Sequence, residues 1–171
     1  MPTILIVAGP NGAGKTSFVR EWFARAGDGF AFLNADELAR DLADSGLTGA
    51  ELNLAAGRRM LEQLDARVRE GRDLVVETTL ATRVHARRIP LWRRAGYRVE
   101  LIYLRLPSVE ASLARVSRRV AAGGHGIPAA DIRRRFARSL ANLEMYKPLV
   151  DRWEVWDSVE GAPILAEWSE A

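Results

Sequence analysis

The chain contains no cysteine, which excludes disulfides and thiolate metal sites. Its only histidines, His85 and His125, lie far apart in sequence, so a structural zinc site is not expected. Lysine is as scarce: Lys15 and Lys147 are the only two, and arginine supplies nearly all of the 25 basic residues. No apolar run approaches the roughly 20 residues that a membrane-spanning helix needs, so no membrane is expected as a partner. The start, Met1 to Ala8, is apolar but has neither a basic leader nor a cleavage site. It reads as a buried first strand, with the cytoplasm as the expected location. No repeat, linker or low-complexity tract interrupts the 171 residues, so a single domain over 1–171 is expected.

A hydrophobic content of 48% with 27% charged residues is that of a globular protein with a real core. The formal charge of +3 could suggest a nucleic-acid partner. The arginines, however, sit at helical spacing among acids, and no basic run interleaved with aromatics offers a stacking platform. Nucleic acid is therefore not expected. Trp22, Trp92, Trp153, Trp156 and Trp168 are spread along the chain and read as packing residues.

Short runs rich in branched residues alternate with longer helical patterns, which predicts an α/β fold around a mostly parallel sheet of about five strands. Strands are expected at Thr3 to Ala8, Ala31 to Asn34, Asp73 to Glu77, Val99 to Leu104 and Glu154 to Asp157, with an added edge strand at Pro163 to Trp168. Helices are expected from Lys15 to Ala26, Ala35 to about Ser45, about Ala50 to Glu70, about Val84 to Ala95, Ser108 to Ala122, and Ala129 to Tyr146. A glycine-rich break, Gly123-Gly124-His125-Gly126, separates the last two helices.

The segment Gly9-Pro10-Asn11-Gly12-Ala13-Gly14-Lys15-Thr16 matches G-x-x-x-x-G-K-[S/T] directly after a strand and at the start of a helix. In that setting glycines let backbone N–H groups form an anion nest, and the helix dipole adds to it. Such a P-loop predicts a three-layer α-β-α nucleoside triphosphatase fold that binds ATP. Lys15 reaches the outer phosphates, Thr16 holds Mg²⁺, and Ser17 completes the cofactor-binding stretch. Two glycines, a lysine and a Ser/Thr at these positions would coincide by chance about once in a thousand such sequences. The scarcity of lysine makes its presence at position 15 more telling still.

Ligands of a parallel sheet gather at the carboxyl ends of its strands. Asn34 and Asp36 follow the second expected strand, and Glu77, Thr79 and Arg83 lie at or after the end of the third. Asp36 also suits a first-turn acid and Asn34 a helix cap. Glu77 ends an apolar strand, where a buried carboxylate is costly unless it meets a metal, a donor or a substrate. It reads either as an acid that orients Mg²⁺ or water, or as an acceptor-site residue. Arg115, Arg118 and Arg119 share a helix just before the glycine break, so residues of about 115–135 read as a lid bringing an arginine to the phosphates. Arg133, Arg134, Arg135 and Arg138 read as surface.

The segments GPNGAGKT, FLNADELA, VVETTLATR and RVSRRVAAGGHGIPAADIRRRFARSLANL together resemble the zeta toxin family of P-loop kinases, over most of the chain. The likeness is to the short stand-alone bacterial members. It implies a phosphotransferase that uses ATP and Mg²⁺ on a sugar hydroxyl of UDP-N-acetylglucosamine, and an antitoxin protein as a partner. On this resemblance Asp36 matches the catalytic base, Lys15 and Thr16 the ATP and Mg²⁺ residues, and Glu77 with Thr79 the acceptor-binding positions. One of Arg118 and Arg119 matches a phosphate-contacting lid residue. His125 stands where the toxins carry a second arginine. An ATPase or nucleotide switch, and a partner-binding protein that holds ATP, remain the alternatives.

Overall fold

The computed structural model describes residues 1–26, 29–42, 46–124, 126–159 and 162–170. Six strands form one sheet: β1 (Thr3–Ala8), β2 (Ala31–Asn34), β3 (Leu74–Thr78), β4 (Arg98–Arg105), β5 (Arg152–Asp157) and β6 (Ile164–Trp168). Their order is β2-β3-β1-β4-β5-β6. The first five run parallel, and β6 pairs antiparallel with β5 at one edge. The sixth, β6, is the edge strand expected at Pro163 to Trp168.

Alternation along the central strands sends side chains to two different layers. Ile4, Ile6, Ala8, Leu74, Val76, Val99 and Leu101 face a large core completed by Met60 and Leu64 of α3 (Gly49–Arg69), Trp92 of α4 (Ile89–Arg94), and Leu143 and Tyr146 of α6 (Ala129–Tyr146). Leu5, Val7 and Val75 face the opposite way, onto Val19, Trp22 and Phe23 of α1 (Lys15–Ala26). Each fully buried aliphatic side chain stabilises the fold by about 1.5–3 kcal/mol. This is the expected three-layer arrangement. The remaining helices are α2 (Ala35–Asp41) and α5 (Val109–Ala121), the latter capped by Ser108, whose Oγ accepts from Ala111 N at 3.2 Å.

The helix expected from Val84 to Ala95 begins only at Ile89, and 82–88 form turns. The backbone there is held from outside: Tyr146 Oη accepts from Ala86 N at 3.0 Å and donates to Thr82 O at 3.1 Å, while Asn142 Nδ2 donates to Leu80 O at 2.7 Å. With those groups satisfied by α6, local helix formation loses its advantage. The end of the helix expected at Ser45 lies outside the described residues, and α2 closes at Asp41.

Candidate active site

Parallel register brings the carboxyl ends of β1, β2 and β3 to one level: Val7 pairs with Glu77, and Glu77 with Asn34. The glycine loop leaves β1 at that level. Gly9 takes φ +142°, and a Cβ there would stand 2.3 Å from Leu104 O, so only glycine lets the loop pass β4. At Gly12, φ is +79°, and a Cβ would meet Arg115 Cβ at 3.0 Å and Ser112 O at 3.2 Å, which lets α5 lie directly against the loop.

Lys15 opens α1 with its side chain buried, Nζ donating to Gly9 O at 2.9 Å and Pro10 O at 3.0 Å. Burial holds the ammonium below its usual pKa. Glu77 and Asp36 act against that shift, and Arg119 and Arg135 add to it. Four charged groups, from α2, α5, α6 and the end of β3, therefore act on Lys15. Thr16 Oγ1 faces Glu77, 3.2 Å from Oε1 and 2.9 Å from Oε2. Asn34 Nδ2 donates to Glu77 Oε2 at 3.0 Å, and Asn34 Oδ1 accepts from Asp36 N at 2.8 Å, capping α2. Burial raises the Glu77 carboxyl above the ordinary range, against the opposing pull of Lys15 and the Thr16 hydroxyl. Asp36 itself is exposed in the first turn of α2.

The other expected site residues divide. Thr79 is half-buried just beyond β3, while Arg83 is exposed in the following turns. Ser17 is exposed on the first turn of α1. On α5, Ser112, Arg115, Val116 and Arg119 fall at i, i+3, i+4 and i+7 on the line toward the loop. Arg115 is not a swinging lid residue in this arrangement: its Nη1 donates to Ser158 Oγ at 2.7 Å and its Nη2 to Ser158 O at 2.8 Å. Arg118 joins Arg105, Ala111, Arg115, Ser158 and Val159 around a cavity of about 620 Å³. His125 lies outside the described residues.

Sequence reading passed over three residues. Arg135 belongs to the set taken as surface. Arg133 and Arg134 do form surface pairs, with Glu110 at 3.4 Å and Asp131 at 2.8 Å. Arg135, by contrast, is half-buried on the inner face of α6 with Ile132, Phe136 and Ser139, and its charge reaches Lys15. Its spacing from Ile132 and Ser139 was the available signal. Ser112 and Ser158 are the other two, both buried and both bonded to the loop, and nothing in the local sequence marks them.

Residues 4–144 match the AAA domain family. The chain belongs to that family. No curated protein sequence matches it at a significant level. One chain of the AvrRxo1-ORF1:AvrRxo1-ORF2 complex with sulphate ions superposes with a TM-score of 0.73 at 20% identity, covering 99% of this chain and 60% of that one. The same complex with ATP gives 0.72 at 21% identity, over 98% and 58%. A chain of the PezAT chromosomal toxin–antitoxin system of Streptococcus pneumoniae gives 0.65 at 18% identity, over 98% and 72%. The chain thus spans about three fifths of the AvrRxo1 chain. At these identities the likeness establishes a shared P-loop fold.

The donor set fits a nucleoside triphosphate with a hard cation. The loop presents two left-handed glycines, Gly12 and Gly14, beside Lys15. Asn11 Oδ1 is buried without a hydrogen-bond partner, an unsatisfied acceptor at the same loop. Among the described residues no three His, Asp or Glu side chains could hold a metal by themselves. Mg²⁺ in such sites takes one or two protein oxygens, its remaining ligands being phosphate and water. The Thr16 hydroxyl and the Glu77 carboxylate are oxygens of that kind.

Proposed function

We propose that this protein is an ATP- and Mg²⁺-dependent phosphotransferase that moves the terminal phosphoryl group to a hydroxyl of a small molecule. The carrying observation is the hydrogen-bonded line from Thr16 through Glu77 and Asn34 to the backbone N–H of Asp36. It ties the phosphate loop to an exposed carboxylate at the next strand end, where an acceptor can enter.

In this reading the loop N–H groups and Lys15 bind the phosphates, and the cavity beside Arg118 and Val159 seats the nucleoside. Thr16 and Glu77 hold the cation directly or through water. Bound Mg²⁺ supplies charge neutralisation of the phosphate oxygens. Asp36 accepts the proton of the acceptor hydroxyl as its oxygen bonds to the terminal phosphorus. The bond to the bridging oxygen breaks, and its electron pair leaves on the nucleoside diphosphate. Arg119 and Arg135 stabilise the charge spread over the transferring group.

The zeta toxin resemblance supports a nucleotide sugar such as UDP-N-acetylglucosamine as the acceptor, with Asn34, Thr79 and Arg83 on its side of the site. The AvrRxo1-ORF1:AvrRxo1-ORF2 complex, to which the fold is similar, supports a protein partner, and the PezAT toxin–antitoxin system supports one of the antitoxin type. The test is incubation with γ-labelled ATP and a metabolite panel containing that sugar nucleotide. Label should move to one acceptor with the wild-type chain, and neither Lys15→Ala nor Asp36→Asn should move it. Transfer retained in Asp36→Asn would remove Asp36 from the role.

The contact of Glu77 with Thr16 favours a second reading, an ATPase or nucleotide switch in which Glu77 orients the attacking water. Its signature is acceptor-free hydrolysis that survives Asp36→Asn and is lost in Glu77→Gln.

A further inference from the structure

Five consecutive carbonyls of the loop are met by side-chain donors. Lys15 Nζ reaches those of Gly9 and Pro10, Ser112 Oγ donates to Asn11 O at 2.5 Å, Arg115 Nη1 lies 3.5 Å from Gly12 O, and Ser158 Oγ donates to Ala13 O at 2.8 Å. In a trans peptide the C=O of one residue points opposite to the N–H of the next. Drawing Asn11 O outward onto Ser112 therefore turns the Gly12 N–H inward. Drawing Ala13 O onto Ser158 does the same for the Gly14 N–H. The peptide between them is fixed differently, because the Ala13 N–H closes a turn on Pro10 O at 3.2 Å.

The direction of the Ser158 hydrogen bond is not left to chance. A guanidinium can only donate, so the hydroxyl that accepts from Arg115 Nη1 at 2.7 Å must spend its own proton on Ala13 O. Arg115 Nη2 also holds the Ser158 carbonyl, which fixes the residue just after β5. Ser112 is fully buried in the first turn of α5 and makes its bond to a residue 101 positions away.

We infer that Ser112, Ser158 and Arg115 are positioning residues that aim the Gly12 and Gly14 N–H groups at the bound phosphates, Arg115 acting through Ser158. The inference rests on the phosphate-binding reading of the loop. It makes the grip on phosphate depend on α5 and on the end of β5, two elements outside the G-x-x-x-x-G-K-[S/T] segment.

The test is calorimetric binding of inorganic tripolyphosphate to the full chain, with the thermal midpoint recorded for every variant. Wild type should bind, and Lys15→Ala should lose about 100-fold or more. Ser112→Ala, which removes one neutral hydrogen bond, and Ser158→Ala, which removes the bond to Ala13 O and the one accepted from Arg115, should each weaken binding about 5- to 10-fold with midpoints within a few degrees of wild type. Ser158→Thr, which keeps the hydroxyl, should bind like wild type. Arg115→Ala should weaken binding to the same degree as Ser158→Ala, and the double variant no further. If Ser112→Ala fails to fold, Ser112→Cys keeps the volume with a weaker donor and should still lose affinity. Folded serine variants that bind as wild type does would overturn the inference and leave the phosphate loop intact. A wild-type chain that binds no tripolyphosphate, with Lys15→Ala indistinguishable from it, would overturn the phosphate reading itself.

Discussion

Thr16 and Glu77 are 61 residues apart in sequence, yet the threonine hydroxyl sits 2.9 Å from one carboxylate oxygen of the glutamate and 3.2 Å from the other. The contact joins the first turn of α1 to the end of β3, two elements with no local reason to meet. What brings them together is the parallel pairing of β1 and β3, in which Val7 lies beside Glu77. A buried carboxylate on the hydroxyl of a phosphate loop is the arrangement expected where a hard cation completes the site.

Glu77→Gln keeps the size and hydrogen-bonding reach of the side chain but removes its charge. Turnover should fall, and the Mg²⁺ concentration giving half-maximal rate should rise by about 10- to 100-fold. A Mg²⁺ titration of activity checks this, and an unchanged half-maximal concentration would place Glu77 away from the cation.

Two arginines should matter unequally with a third. Arg119 and Arg135 act on Lys15, whereas Arg118 lines the cavity proposed to seat the nucleoside. Arg119→Ala and Arg135→Ala should each lower kcat by about 10²- to 10³-fold with little change in KM for ATP. Arg118→Ala should instead raise KM for ATP, by about 10-fold, with kcat nearly kept. Steady-state kinetics at varied ATP separates these patterns.

Gly9→Ala would place a methyl group 2.3 Å from Leu104 O at a backbone angle that L-residues avoid. The loop and β4 must separate to admit it, at a cost of about 2–4 kcal/mol. The thermal midpoint should fall by roughly 5–10 °C, and phosphate binding should be lost with it.

His85 supplies a pH dependence of stability. It is buried against Trp92, and burial, with Arg88 nearby, pushes its pKa down to about 4 from an ordinary 6.5. The folded state therefore resists protonation that the unfolded chain accepts. Stability is complete above pH 6.5 and falls as the pH drops toward 4, by about 1.4 kcal/mol per unit and about 3 kcal/mol in all. Denaturant melts between pH 7 and 4 should show this slope, and His85→Phe should flatten it.

The glycine loop, its flanking strand and helix, and the carboxylates at neighbouring strand ends were all legible in the sequence, because each is encoded within a few residues. Lys15 to Ala26 and Ala129 to Tyr146 were expected as helices and form with those bounds. The features that stayed hidden depend on distant partners. Ser112 and Ser158 gain their meaning only from contacts across 101 and 145 positions. Arg135 was hidden among Arg133, Arg134 and Arg138 because one turn of α6 decides which of the four faces inward. The shortened helix near Ile89 reflects the same limit, since Tyr146 and Asn142 take its backbone groups from α6.

The central claim is that a phosphoryl group passes from ATP to an acceptor hydroxyl whose proton goes to Asp36. The most direct measurement follows label from γ-labelled ATP into small-molecule product, in parallel with ATP affinity, for wild type and Asp36→Asn. Wild type should give labelled product, Asp36→Asn roughly 10³-fold less, and the variant's ATP affinity should stay within about threefold of wild type. Undiminished transfer by Asp36→Asn, or hydrolysis to free phosphate as the sole outcome with every acceptor, would contradict that claim.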